Sequence, residues 1–353
     1  MTLEMRHLPS YLAELPCEHV HALQLYSSEY TRRAFSIPKN TVGKRIQRMT
    51  TMTTISIPKR DIHLSGLLFK PENPLSPRGP ALVIVHPSGG VKEQAATVYA
   101  KRFSELGFTT VAFDASYQGE SGGEPHFLED PNARTTDVSA VVDYLENLQD
   151  VDPTKIGVFG ICAGGGYSIA ATKTDYRIKA VATASMVNIG DSFRLGWEGK
   201  DLAEKHVETL KMIAGAIEAE TTGKTPDYLP YVPEKTGETT PLDLAQATEY
   251  YRTPRACHPR AENKMSKRSI PLLAAFDAFY LADIYLQQPT LLIAGEKAGS
   301  LWHTTGLAKR LEGRAKTVIV PNATHMDFYD RLPAVEQAVK AAGKFFKRHL
   351  NQS

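Results

Sequence analysis

The sequence predicts an α/β fold: a mostly parallel sheet with helices on both faces and an inserted helical lid. Three observations lead there. Short continuous apolar runs such as "ALVIVH" (81–86) and "IGVFG" read as strands buried on both faces. Between such runs, apolar residues recur at helical spacing, as in Val138, Val141, Val142, Leu145 and Leu148. Strands alternating with helices give a parallel sheet. The alternation breaks once, between "AVATAS" (180–185) and "TLLIAG" (290–295), over about a hundred residues, far beyond an ordinary connection.

In chain order, residues 1–50 are mixed and polar and are expected to form a helical extension packed on the main body. "TTISIP" and "IHLSGLLF" alternate as hairpin strands do. "ALVIVH" follows as a buried strand. A helical segment over 92–106 has Ala95, Tyr99, Arg102, Phe103 and Leu106 on one stripe. "FTTVAFD", "IGVFG", "AVATAS", "TLLIAG" and "TVIV" (317–320) complete the strands, and the last helix carries Val335, Ala338, Val339, Ala342, Phe345 and Phe346 on one face. Residues 51–189 and 288–353 thus form the core. Residues 190–287 begin charged and helical, become rich in Pro and Thr, and end aromatic. They read as a lid over the carboxyl edge of the sheet.

Composition narrows the function. With 353 residues and 42% hydrophobic content, the chain can bury one large core beneath a lid. A formal net charge of +2 gives no electrostatic reason to expect nucleic acid or a membrane surface as partner. Lys44, Arg45 and Arg48 read as a solvated helix face. No apolar run reaches the roughly 18 residues of a spanning helix, and the start lacks a signal-peptide stretch. Cys17, Cys162 and Cys257 are too scattered for a disulfide framework, so a cytoplasmic setting is expected. There is no metal-ligand spacing, no phosphate loop and no strong dinucleotide fingerprint, so neither metal nor cofactor is expected.

The chemistry gathers on Gly160-Ile161-Cys162-Ala163-Gly164, which has the spacing of a nucleophile elbow between a strand and a helix. The flanking glycines let the backbone turn sharply, and the helix N-terminus is expected to favour a thiolate at Cys162. The bland reading is a buried cysteine beside packing glycines; the strand before and the helix after favour the nucleophile. His325, in the loop after the last strand, sits where the base belongs, whereas His63, His86, His303 and His349 fit less well. The oxyanion donors should be the N–H of Ala163 and that of Ser88 or Gly89, since Pro87 has none. The place usual for the acid holds Ala298. Glu296 is the nearest carboxylate, Asp191 is the alternative, and Asp327 is too close to His325 in sequence. A thiol ionises more readily than a hydroxyl, so a displaced acid is tolerable. Glu93 is expected to favour the first turn of a helix, and Asp114 and Glu120 to hold the loop of "FDASYQGESGG" by hydrogen bonds.

From about residue 60 onward the chain resembles the alpha/beta hydrolase fold and, within it, the dienelactone-hydrolase-like group with a cysteine nucleophile. The segments "HPSGGVKEQ", "FDASYQGESGGEP" and "GICAGGGY" carry the likeness. The resemblance implies a Cys–His–acid machine acting on esters, lactones or thioesters. Cys162 and His325 match its positions, whereas the acid does not carry over. Residues 1–50 fall outside it. The expected partner is a small-molecule acyl substrate, and a homodimer is left open. Phe276, Phe279, Tyr280 and Tyr285 are expected to favour an apolar or aromatic acyl group. Two other readings stand: an acyltransferase or carrier-linked thiohydrolase of a biosynthetic pathway, and a non-catalytic binding module on a hydrolase fold.

Overall fold

The computed structural model describes residues 51–350. The expected N-terminal extension, residues 1–50, lies outside them. The edge hairpin pairs β1 (Thr51–Lys59) with β2 (Ile62–Lys70) in antiparallel register, Ser56 opposite Ser65. Strand β2 pairs antiparallel with β4 (Thr109–Phe113). All later pairings in this sheet are parallel, through β3 (Gly79–Val85), β5 (Val151–Ile161), β6 (Ile178–Ala184), β9 (Thr290–Gly295) and β10 (Ala315–Val320). The spatial order is β1-β2-β4-β3-β5-β6-β9-β10. Strand β5, which leads into Cys162, is therefore flanked by parallel neighbours on both sides, and its carboxyl end opens at the middle of the edge where ligands bind in such sheets.

Alternation along β3 shows how both faces are covered. Leu82 and Ile84 pack with Tyr99 and Phe103 of α1 (Ala95–Glu105) and Phe346 of the last helix (Leu332–Leu350). Ala81, Val83 and Val85 pack on the other side with Val138, Val141 and Val142 of α2 (Pro131–Glu146). Phe103 sits edge-on to Phe159 with ring centres 5.0 Å apart and to Phe346 at 6.0 Å, geometries that add to simple area burial. Helix α2 starts where its sequence says it should: the Asp130 carboxylate accepts the N–H groups of Asn132 and Ala133, and Pro131 takes the first helical position. Helix α3 (Ala163–Thr172) is buried throughout, consistent with its small residues.

The long interval after β6 holds α4 (Ile189–Leu195), α5 (His206–Thr221), α6 (Leu242–Arg252), α7 (Ser269–Ala275) and α8 (Ala282–Tyr285). A two-residue ribbon of β7 (Tyr228–Leu229) and β8 (Met265–Ser266) lies among them. Its ties to the rest gather at loops beyond the carboxyl ends of the strands. Gln94 Nε2 donates to the Ala256 carbonyl at 2.8 Å, Tyr231 Oη donates to Glu129 at 2.9 Å, and Arg255 pairs with Asp330 at 2.6 Å. Arg260 pairs with Glu93 at 2.7 Å and with Glu120 at 3.0 Å. Helix α5 buries only Ile213 fully, with Leu210 and Ile217 partly packed beside it.

The aromatic stretch at the end of the interval does not line an acyl site as the sequence suggested. Phe279 is core, packed with Ile169, Val181 and Leu292, while Tyr280 and Tyr285 are exposed on the surface. Phe276 packs on Tyr167 with ring centres 5.8 Å apart. The stripe serves to dock the interval back onto the sheet. Among the described residues, no helix is long and apolar enough to cross a membrane.

Candidate active site

Cys162 follows β5 directly and has φ 54° and ψ −126°, a conformation that costs a non-glycine residue energy and persists only where its surroundings over-determine it. They do so here. Its N–H donates to the Ala184 carbonyl at 3.1 Å, and its own carbonyl accepts from Gly165 and Val187, each at 2.9 Å. The two flanking glycines are required by contact. A methyl group at Gly160 would press into the backbone of Gly164, and one at Gly164 into the carbonyls of Val85 and His86.

The thiol is buried, and burial pushes its pKa up to about 11; the neighbouring Tyr329 hydroxyl and Ala163 N–H offset this only in part. The expected thiolate is therefore corrected. Desolvation outweighs the helix N-terminus, and the resting group is a neutral thiol.

His325 lies in the loop after β10, 1% exposed. Burial pushes its pKa down to about 4, against the pull of the Asp243 carboxylate, so the imidazole is neutral at pH 7. Its Nδ1 is 2.6 Å from Ser300 Oγ, and its Nε2 is 3.3 Å from the Tyr329 hydroxyl. The edge of Trp197 meets the ring at 4.9 Å. Cys162 and His325 thus converge on the same phenol, which lies against the imidazole and interacts electrostatically with the thiol.

Neither carboxylate expected from sequence reaches the ring. Glu296 accepts the Asn322 N–H at 2.9 Å, and Asp191 is held by Asn188 at 2.7 Å and Arg194 at 2.6 Å. The carboxylate beside the base is Asp243, from the first turn of α6. It accepts the backbone N–H of His325 at 3.1 Å, that of Gly299 at 2.7 Å and the indole N–H of Trp197 at 3.0 Å. Asp243 thereby clamps together the loop that carries Ser300 and the loop that carries His325, while the ring itself is oriented by Ser300. Sequence reasoning missed all three. Asp243 reads as an ordinary acid at a helix start. Ser300 is a loop serine five residues beyond Gly295. Tyr329 gave the clearest signal, lying four residues after His325, one helical turn away.

The loop expected to supply the second oxyanion donor holds Ser88 and Gly89. Neither N–H has a hydrogen-bond partner among the described residues. Gly89 has φ +68°, and a methyl group there would meet the Tyr231 ring at 2.7 Å. The loop rests on buried groups. His86 Nε2 accepts the Ala115 N–H at 3.1 Å, and Arg134 donates to the His86 carbonyl at 2.8 Å. Arg134 lies 3.3 Å from Glu129, whose carboxylate also accepts the hydroxyls of Tyr167 and Tyr231. Downstream, buried Lys92 pairs with Asp114 at 2.7 Å, Glu120 at 2.7 Å and Glu93 at 2.9 Å. Asp114 also accepts the Glu120 N–H, which fixes the 113–123 loop as expected. Glu93 differs from its expected role: α1 begins only at Ala95, and the Glu93 carboxylate is spent on Lys92 and Arg260.

The comparisons with known proteins agree with this architecture. Residues 64–186 match the Dienelactone hydrolase family. The uncharacterized protein YcjY of Escherichia coli K12 is 44% identical over 294 residues, spanning 82% of this chain and 95% of YcjY. The uncharacterized protein PA2218 of Pseudomonas aeruginosa is 37% identical over 299 residues, 82% of this chain and 78% of PA2218.

The chain belongs to the family of YcjY and PA2218.

The crystal structure of PA2218 superposes with a TM-score of 0.81 at 31% identity, covering 89% of this chain and all of that one. The structural likeness to PA2218 thus extends over most of this chain. A more distant relative is the polyketide transferase GrgF of Penicillium, 28% identical over 203 residues, 55% of this chain and 64% of GrgF. Its crystal structure has a TM-score of 0.72 at 21% identity, covers 86% of this chain and all of that one, and shares the alpha/beta hydrolase fold.

Proposed function

We propose that this protein is a hydrolase that cleaves an ester, lactone or thioester through an acyl-cysteine intermediate. Cys162 sulfur attacks the carbonyl carbon and its proton passes to His325. The oxyanion is held by the N–H groups of Ala163 and of Ser88 or Gly89. The intermediate collapses and expels the alcohol or thiol, which takes the proton from His325. Water, deprotonated by His325, then attacks the acyl-sulfur bond, and acid and thiol are released. Asp243 and Ser300 hold the imidazole in place, and residues 190–287 act as the lid.

One observation carries the reading: a strained cysteine at the end of the central strand and a buried neutral imidazole converge on one phenol. The test is Cys162→Ala against aryl esters, lactones and acyl thioesters. Turnover should fall at least about 1,000-fold on every substrate the native protein accepts. With a slow substrate, mass spectrometry should find the acyl group on Cys162. Undiminished turnover by the variant overturns the reading.

A second reading keeps the acyl-cysteine and changes the acceptor from water to an alcohol or amine. The burial of Cys162 (8% exposed) beneath aromatic groups favours it, because excluding water protects an acyl intermediate, and GrgF is named a polyketide transferase. Product analysis with competing nucleophiles separates the two: acid alone as product overturns acyl transfer.

A further inference from the structure

Cys162 and His325 are joined through a third side chain. The Tyr329 hydroxyl lies 3.3 Å from His325 Nε2 and interacts electrostatically with the Cys162 thiol. No hydrogen bond links the sulfur to the imidazole directly. The phenol is 2% exposed and firmly held. The ring centre of Tyr250 is 5.1 Å away and that of Tyr251 6.3 Å, both meeting it edge-on. Tyr251 also interacts electrostatically with Tyr329 and with Cys162. The neighbouring Phe328 carbonyl accepts from Tyr99 Oη at 2.8 Å. Such a hydroxyl can accept one proton and donate another without moving.

We propose that Tyr329 is a catalytic residue whose hydroxyl relays the proton from the Cys162 thiol to His325 Nε2 as the sulfur attacks. The proposal rests on the acyl-cysteine reading. In the step, the S–H bond breaks and the sulfur electron pair forms the new S–C bond. The carbonyl π pair becomes the oxyanion. The thiol proton goes to the Tyr329 oxygen while the phenolic proton goes to Nε2. Tyrosine ends as it began, and one proton has moved from sulfur to nitrogen.

The electrostatics require the two transfers to be concerted. Burial pushes the Tyr329 phenol well above its ordinary range, so a free tyrosinate is too costly to accumulate. The resting pair is neutral thiol and neutral imidazole, so the nucleophile needs such a path at the moment of attack. Nε2 can accept only if Nδ1 carries the other proton, and Ser300 Oγ at 2.6 Å is placed to receive it. Tyr251, which comes from the inserted segment, is a positioning residue for the relay.

The experiment is Tyr329→Phe, with acylation of Cys162 by a slow aryl ester followed by mass spectrometry from pH 6 to pH 10. Loss of the relay should slow acylation at pH 7 about 100-fold or more. The lost rate should return as pH rises, because the thiol then ionises without help. The native protein should stay flat over the same range. Tyr251→Phe, which leaves Tyr329 intact, should slow acylation at pH 7 several-fold. Thermal melting establishes that each variant is folded, and if Tyr329→Phe does not fold, Tyr251→Phe decides: a rate within twofold of native overturns the proposal. A folded Tyr329→Phe with a near-native rate and a flat profile overturns the relay while an inactive Cys162→Ala leaves the acyl-cysteine reading intact. Turnover surviving in Cys162→Ala overturns both.

Discussion

At the scale of single residues, burial sets the protonation states. His325 is held down to about 4 and His303 to about 3, in both cases first by desolvation; for His303 the charge of His325 adds to it. His86 is pushed well below its ordinary value by burial and by Arg134. On the proposed mechanism His325 must be neutral to act, so kcat/KM should hold steady as pH falls through 6 and decline only toward the value of His325. An acid limb centred near pH 6.5 would mean that the imidazole is solvated. Stability follows the same sign. Below the unfolded value of roughly 6.5, the unfolded chain binds protons that the native chain refuses, so stability should fall as pH drops from 6.5 toward 4. At pH 5 His325 and His303 each destabilise the fold by about 2 kcal/mol, which urea unfolding at pH 7.5 and 5 would register. His303 is the extreme case, with both ring nitrogens unpartnered and the ring stacked on Trp302 at 3.6 Å.

At the scale of elements, the β5–Cys162–α3 turn is the rigid part. Gly160 and Gly164 face backbone that has no room to yield. Gly160→Ala should therefore cost about 4 kcal/mol or more, or prevent folding outright, as chemical denaturation would report. A small loss would mean that the turn can relax. This element was legible in the sequence because its signals are local: an apolar strand, glycines at fixed spacing, a small-residue helix. The parallel sheet was legible for the same reason. What stayed hidden depends on the return of distant chain. Asp243 lies on an element with no sequence relation to the loops it clamps, and Ser300 gains meaning only when the β9 and β10 loops meet. The thiolate expectation failed differently. Helix polarity is visible in a sequence, but the depth at which a sulfur is buried is a property of the assembled core.

At the scale of the whole molecule, the inserted segment is fastened to the sheet by charge. Arg260 reaches Glu93 and Glu120, which meet Lys92 on the strand side. Arg260→Met should release that corner and raise the rate at which iodoacetamide alkylates Cys162 several-fold, with Cys257 as the internal reference in the same digest. An unchanged ratio would show that access to the sulfur does not run past this corner. The segment is also more than a cover. Helix α6 presents Asp243, Ala247, Tyr250 and Tyr251 on one face, so the carboxylate bracing the His325 loop and the phenols packed on Tyr329 share a single rod. Reshaping that rod to admit a different acyl group also shifts the brace. On the proposed mechanism substrate range and turnover therefore cannot drift separately, and grafting the segment from a relative would transplant both at once.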